Sequence, residues 1–279
     1  MTNTTNKGTA LITGASSGIG AVYADRLAKE GYDLILVARS GDKLREIASH
    51  LTTESGRSVE TIAADLTKSA DLAKVEKALK TDASITMLVN NAGFGGAGPL
   101  LSSNVDKMEE MIALNVTALT RLAYAGVPAF VSRGKGTIIN ISSIVAIAPE
   151  LLNGVYGGSK AFVLAFSQSL HHELADKGIR VQAVLPGATA TEFWNAAGMP
   201  VENLPQNIVM TTENLVDAAL AGLKQGELVT IPSLPEKSDW DTFEKARKAM
   251  GPNLSLIEPA ARYGIVRRTG SPDIAHTRA

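Results

Sequence analysis

The stretch TALITGASSGIGAVYADRLAKEGYDLILVA, Thr9 to Ala38, encloses a glycine-rich turn and a helical pattern between two apolar runs. TALIT (9–13) and DLILVA (33–38) are almost wholly apolar, which suits strands covered on both faces rather than strands with one wet side. The residues between them, about 18–30, repeat apolar positions at helical spacing. Strand, helix, strand in this order predicts a parallel pair joined by a crossover. At the end of the first strand the turn supplies Gly14, Ser16, Ser17, Gly18, Ile19 and Gly20. Glycines there let the backbone turn tightly and approach a pyrophosphate, whose charge meets the free N–H groups of the helix N-terminus. The spacing is G-x-x-x-G-x-G, and no G-x-x-x-x-G-K-[ST] phosphate loop occurs to compete with it.

Outward from this unit the alternation continues. VETIA (59–63), MLVN (87–90), GTIINI (136–141), RVQAVL (180–185) and LVTI (228–231) read as strands. Helical patterns lie near 42–54, 69–80, 105–132, 156–176 and 212–224. The expectation is a doubly wound, Rossmann-type parallel sheet that binds ligands at the carboxyl ends of its strands. Pro128 is expected to kink or end the helix of 105–132. Residues 1–232 are expected to form one dinucleotide-binding and catalytic domain. Residues 233–279 read as an extension packed on it: one helix, Asp239 to Met250, and a tail with Arg267, Arg268 and Arg278.

Twenty-seven basic and 28 acidic side chains leave a net charge of -1, which asks for neither nucleic acid nor an anionic membrane. With no cysteine, thiolate catalysis and thiolate zinc sites are excluded, and four scattered histidines argue against a histidine metal cluster. No apolar run suits a signal peptide or a membrane span, so a soluble cytoplasmic protein is expected.

Candidate functional residues gather at the strands' carboxyl ends. Arg39 follows the second strand, where a guanidinium accepts a 2'-phosphate and an acidic side chain would hold a 2'-hydroxyl. Asp33 lies at the opposite end of that strand, so NADP(H) is favoured over NAD(H), which stays possible. After the fourth strand, Asn91, Ala92 and Gly93 suit a flat ring lying against the main chain. Asn115 is a polar residue on the apolar face of a helix, and a core asparagine bonded to nearby backbone is the plain alternative to a functional one. Ser143 follows the fifth strand, and Pro186, Gly187, Thr189 and Thr191 follow the sixth. Phe94, Ile147, Leu151, Leu152, Phe193, Trp194 and Met199 are expected to bound an apolar substrate pocket.

Tyr156 and Lys160 stand four residues apart, one turn on one helical face. A cation about 4 Å from a phenolate at an effective dielectric of about 20 contributes roughly 4 kcal/mol, or about three pKa units. Lys160 is therefore expected to bring Tyr156 from about 10 toward neutrality. Taken alone, a Y-x-x-x-K string supports no more than an amphipathic tyrosine and a solvated lysine.

TGASSGIG (13–20), NNAG (90–93), Asn115, Ser143, the Tyr156 to Lys160 segment and Pro186-Gly187, taken together and in this order, resemble the short-chain dehydrogenase/reductase family. The resemblance covers about residues 8–232. It implies a seven-stranded Rossmann-type sheet, a nicotinamide cofactor and a homodimer or homotetramer. It further implies Tyr156 as acid/base, Lys160 as its tuner and ribose ligand, Ser143 as the polariser of a carbonyl and Asn115 as a relay through water. Asp65 matches the residue that meets the adenine, with Leu66 beside it. The function implied is hydride transfer between NADP(H) and an apolar carbonyl or alcohol. The alternative is a sensor of the same fold that binds NADP without turning it over.

Overall fold

The computed structural model describes residues 6–196 and 199–265. Seven parallel strands form one sheet: β1 (Thr9–Thr13), β2 (Asp33–Ala38), β3 (Val59–Ala63), β4 (Ile85–Asn90), β5 (Gly136–Ile141), β6 (Ile179–Val184) and β7 (Val229–Thr230), in the order β3-β2-β1-β4-β5-β6-β7. The central strands β1 and β5 bury every residue along their length, as their largely apolar runs predict, and the polar Asn140 is bonded to Asn90 and Ser167.

Helices cover both faces. On one, α1 (Gly18–Lys29), α2 (Gly41–Ser55) and α8 (Thr212–Gln225), which follows the single turn α7 (Phe193–Ala196), bury Tyr23, Leu27, Leu44, Leu215 and Leu220 against the sheet. On the other, α3 (Ser69–Thr81), α5 (Leu119–Ser132) and α6 (Gly154–Leu174) bury Leu79, Leu122, Phe130 and Leu170. These two apolar layers, rather than helix propensity, hold the helices in place.

The helix expected over 105–132 is continuous but not regular. It runs as α4 (Val105–Ile112), a π-helical segment Ala113–Ala118, and α5. Pro128 neither ends nor breaks it: α5 continues to Ser132, where Arg133 N–H donates to the Phe130 carbonyl. A mid-helix proline forfeits one hydrogen bond and crowds the preceding turn, at about 3 kcal/mol. The complete burial of Phe130 one half-turn later offsets that cost. Elsewhere the expected bounds shift by a residue or two, as at β4, which starts at Ile85.

The chain divides into two compact units, 1–233 and 234–279. Within the second, α9 (Lys237–Ala249) stacks Trp240 on Phe243 with centroids 5.2 Å apart. The expected Arg267, Arg268 and Arg278 lie outside the described residues. Among the described residues no helix is long and apolar enough to cross a membrane.

Candidate active site

The strand order reverses between β1 and β4, and a crevice opens at their carboxyl ends, where such sheets accept ligands. Thr13 joins the two strand ends. Its Oγ1 accepts from the backbone N–H of Asn91 and of Ala92, both at 3.0 Å, and donates to the Val89 carbonyl at 3.3 Å. Asn91 answers by donating Nδ2 to the carbonyls of Thr13 (2.9 Å) and Gly14 (3.2 Å). The glycine turn is thereby clamped before α1 begins. Gly14 has φ +66°, and a Cβ there would meet Asn91 Nδ2 at 2.7 Å. A Cβ on Gly20 would come within 2.3 Å of the Gly14 carbonyl oxygen. Gly20 is buried and does not line the crevice; it lets helix and turn close on each other.

The crevice is a cavity of about 1400 Å³. Gly14, Ser16, Ser17, Gly18 and Ile19 line it beside the first strand, and Arg39, Asp65 and Leu66 line it beside the second and third. Asn91, Ala92 and Gly93 form its centre, and Ser143, Tyr156, Lys160, Pro186, Gly187, Thr189 and Thr191 its far end. Ser40, Lys43, Thr67 and Lys68 line it too and were not anticipated. The signal for Lys43 was its position in the first turn of α2, next to Arg39. Thr67 donates to Asp65 at 2.7 Å through its hydroxyl and at 3.0 Å through its N–H. Those bonds, with smaller contributions from Arg39 and Lys68, hold the Asp65 carboxyl below the usual range.

At the far end, α6 is started by Asn153, whose Oδ1 accepts from the N–H groups of Val155 (2.9 Å) and Tyr156 (3.5 Å). The same side chain donates to the Gly98 carbonyl at 2.8 Å, so the loop after β4 is tied to the helix start. Ser142 then fixes the first turns from the sheet, donating to the Lys160 carbonyl at 2.7 Å. Ser143 Oγ accepts from Val145 N–H and donates to the Pro186 carbonyl, both at 3.4 Å. Tyr156 and Lys160 are each only 6% exposed, which decides their electrostatics.

The expected pairing of these two requires a correction. Burial pushes the Tyr156 phenol up to about 12, a rise that a hydrogen bond with Ser143 only partly offsets. Burial also brings Lys160 down to about 8. Lys160 Nζ donates to the Ile141 carbonyl at 2.9 Å and lies 5.8 Å from the centroid of the Tyr156 ring. Desolvation therefore outweighs the charge interaction expected from a separation of about 4 Å, and both groups are shifted toward their neutral forms.

Asn115 lies in the π-helical segment, 1% exposed and behind the cavity wall. Its Oδ1 accepts from Phe94 N–H at 3.1 Å, and its Nδ2 donates to the Phe94 carbonyl (2.9 Å) and to Ser159 Oγ (3.1 Å). A Cβ built on Gly93 would stand 2.9 Å from Asn115 Oδ1 and 3.5 Å from Lys160 Nζ, so both side chains border that glycine. Of the residues expected to bound an apolar pocket, Phe94, Leu151, Leu152, Phe193, Trp194 and Met199 line the cavity. Ile147 does not and is 38% exposed.

The chain matches the family model for short chain dehydrogenase over residues 8–200. It belongs to the short-chain dehydrogenase family. A short-chain dehydrogenase from Sphingobium yanoikuyae in complex with NADPH is 50% identical, with a TM-score of 0.89 over 92% of this chain and 99% of that one. The bulky-bulky ketone specific alcohol dehydrogenase from Comamonas testosteroni is 46% identical, with a TM-score of 0.85 over 93% of this chain and 99% of that one. The very-long-chain 3-oxoacyl-CoA reductase of Bos taurus is 40% identical over 191 residues, which are 66% of this chain. The chain spans about 60% of the length of that curated relative.

Proposed function

We propose that the protein is an NADP(H)-dependent reductase of apolar ketones that runs in reverse as an alcohol dehydrogenase, with NAD(H) a weaker cofactor. The observation that carries this reading is the buried Tyr156, hydrogen-bonded to Ser143 and one turn from Lys160, in the same cavity that Arg39 and Lys43 line beside β2. The residues fit a dinucleotide. The turn at the N-terminus of α1 suits a pyrophosphate, Ala92 and Gly93 leave room for a flat ring, and Arg39 with Lys43 suits a 2'-phosphate. Asp65 and Leu66 stand where an adenine would lie. Gly187, Thr189 and Thr191 form the opposing wall, with Thr191 Cγ2 3.3 Å from where a Cβ on Gly18 would be. The Sphingobium relative, solved with NADPH, supports the same cofactor.

When bound, the nicotinamide supplies the hydride. Tyr156, held as a neutral phenol by its burial, gives its proton to the carbonyl oxygen as negative charge develops there. Ser143, turning its proton from the long 3.4 Å bond to the Pro186 carbonyl, donates to the same oxygen while Val145 N–H holds its Oγ. Lys160, lowered to about 8, still carries its proton for most of the time at neutral pH and steadies the phenolate left behind. Asn115, bonded to Phe94 and Ser159, holds the backbone at Gly93 and Phe94 in place beside Lys160 rather than reaching the cavity itself.

Apolar walls from Leu152, Phe193, Trp194 and Met199 favour an aromatic or aliphatic ketone over a sugar. The Comamonas relative, described as bulky-bulky ketone specific, supports a ketone as the substrate. The subunit is proposed to pair into a dimer or tetramer through α4, α5 and α6, which expose Ile112, Tyr124 and Phe162. Sedimentation as a 29.2 kDa monomer at micromolar concentration would contradict that pairing. The catalytic reading is tested by following NADPH absorbance with a panel of ketones and aldehydes. Turnover of aryl or long-chain ketones is expected, slower with NADH. Tight NADPH binding with no turnover across the panel would replace the enzyme by a cofactor sensor.

A further inference from the structure

The loop after β4 buries Gly95 beneath two aromatic rings. A Cβ built on it would lie 2.3 Å from Phe193 Cζ and 2.6 Å from Phe193 Cε2, closer than real Cβ contacts come. The phenylalanine ring thus fills the room that a side chain at residue 95 would need. The same Cβ would stand 3.2 Å from Tyr156 Cδ2. One bare Cα therefore supports both rings, which tilt against each other at 46° with centroids 5.5 Å apart.

Phe193 is held in this position from behind. Trp194 meets it edge-on at 5.3 Å and 85°, and is itself fixed by a hydrogen bond of 2.8 Å from its Nε1 to the Thr189 carbonyl. Thr189 forms a parallel bridge with Met210. The N–H of Ala190 donates to the Met210 carbonyl, and the N–H of Met210 to the Ala188 carbonyl, both at 2.9 Å. The segment that begins at Thr189 and returns at Met210 is closed at its base, so the ring is a wall with a frame. It also adds to the cover over the phenol, packing on the small cluster of Met111, Val145 and Tyr156.

A carbonyl whose oxygen is held by Tyr156 and Ser143 has two substituents, and the Phe193 ring, packed on Tyr156, borders the cavity beside that oxygen. We infer that Phe193, seated on Gly95, is the specificity-determining residue that limits the size of the substituent beside Tyr156, while the other substituent extends toward Leu152 and Met199. This rests on the ketone reductase reading and departs from the Comamonas relative, described as bulky-bulky ketone specific, in limiting one of the two substituents.

The test compares acetophenone, with a methyl group on one side, and benzophenone, with a ring on both. Phe193→Ala should raise the benzophenone-to-acetophenone ratio of kcat/KM by about tenfold or more, the scale on which apolar pockets discriminate, and leave NADPH binding unchanged. Phe193→Leu should move the ratio the same way by less, and serves if the alanine variant does not fold. Gly95→Ala should depress turnover of both ketones by dislodging the ring, and adding Phe193→Ala should restore most of it, because the atoms in the way are gone. An unchanged ratio in a variant that still binds NADPH would overturn the inference, as would a double variant no better than Gly95→Ala alone. If the wild type reduces neither ketone, the wider panel decides the reductase reading, and calorimetric binding of the two ketones to the NADP-loaded protein judges the wall separately. A selective gain for benzophenone in Phe193→Ala sustains it; equal binding of the two ketones to wild type and variant overturns it.

Discussion

At the β1–β3 end of the cavity, charged side chains stand near solvent, whereas the Tyr156 and Lys160 pair at the β4–β6 end is buried. Arg39, Lys43 and Lys68 are exposed, and Asp65 between them is lowered chiefly by its hydrogen bonds with Thr67. Tyr156 and Lys160 are nearly solvent-free, and desolvation dominates both. The open end has the properties of a surface that captures an anion, with energies set by pairing and weakened by salt. The closed end has those of a site that holds protons, with energies set by burial and sensitive to pH. The two ends should therefore fail differently when altered.

The largest effect is expected at the closed end. Tyr156→Phe removes one hydroxyl and little volume, so turnover should fall by about 10²–10⁴, the usual contribution of a positioned acid, with NADPH affinity nearly unchanged. Steady-state rates and a cofactor titration on the same preparation check this, and a variant retaining a large share of activity would move the acid elsewhere. At the open end, Arg39→Ala should weaken NADPH binding by roughly 1.5–3 kcal/mol and leave NADH almost untouched. Equal losses for both cofactors would show that Arg39 does not read the phosphate. Lys43→Ala should cost NADPH less, about 0.2–1 kcal/mol, because an exposed lysine is a screened point charge. Its deficit should shrink in high salt, and a deficit that salt leaves untouched would contradict the contrast between the two ends.

The legibility of the sequence follows the same division. Strands β1, β2, β3 and β5 were readable to the residue because the chain punctuates its apolar runs with turns, and the glycine turn followed from its place after β1. Backbone-built sites of this kind depend on local chemistry, which a sequence displays. The π-helical segment at Asn115 was not readable, since apolar spacings of four and three occur in a regular helix as well. The helix end expected at Pro128 does not occur, because its local cost was visible and the burial of Phe130 that offsets it was not. The Tyr156 and Lys160 pair was legible as a pair but not in its electrostatics. Four-residue spacing brings two side chains to one face, yet only the packed structure reveals that Lys160 turns to the Ile141 carbonyl and that water is excluded from both. Gly95 and Phe193, almost a hundred residues apart, carry no local signal that one makes room for the other.

Burial as the dominant influence at the closed end has a direct test in the titration of Lys160 in the cofactor-free protein. Lysines labelled with 13C at Cε, with Lys160→Met to assign the resonance, should show one ammonium titrating near 8. The sign for stability follows. Between about pH 8 and the ordinary lysine value the unfolded chain binds the proton that the folded protein has lost, so the contribution of Lys160 to stability should rise with pH across that window. Above about 10 it is opposed by Tyr156, whose raised value keeps a proton in the folded state that the unfolded chain releases. A Lys160 resonance with a midpoint near 8, and a rise in melting temperature from pH 8 to 10 that Lys160→Met lacks, is the predicted result. A midpoint at the ordinary lysine value of about 10.4 or higher would contradict it, and would restore a phenolate-pairing lysine as the main influence on Tyr156.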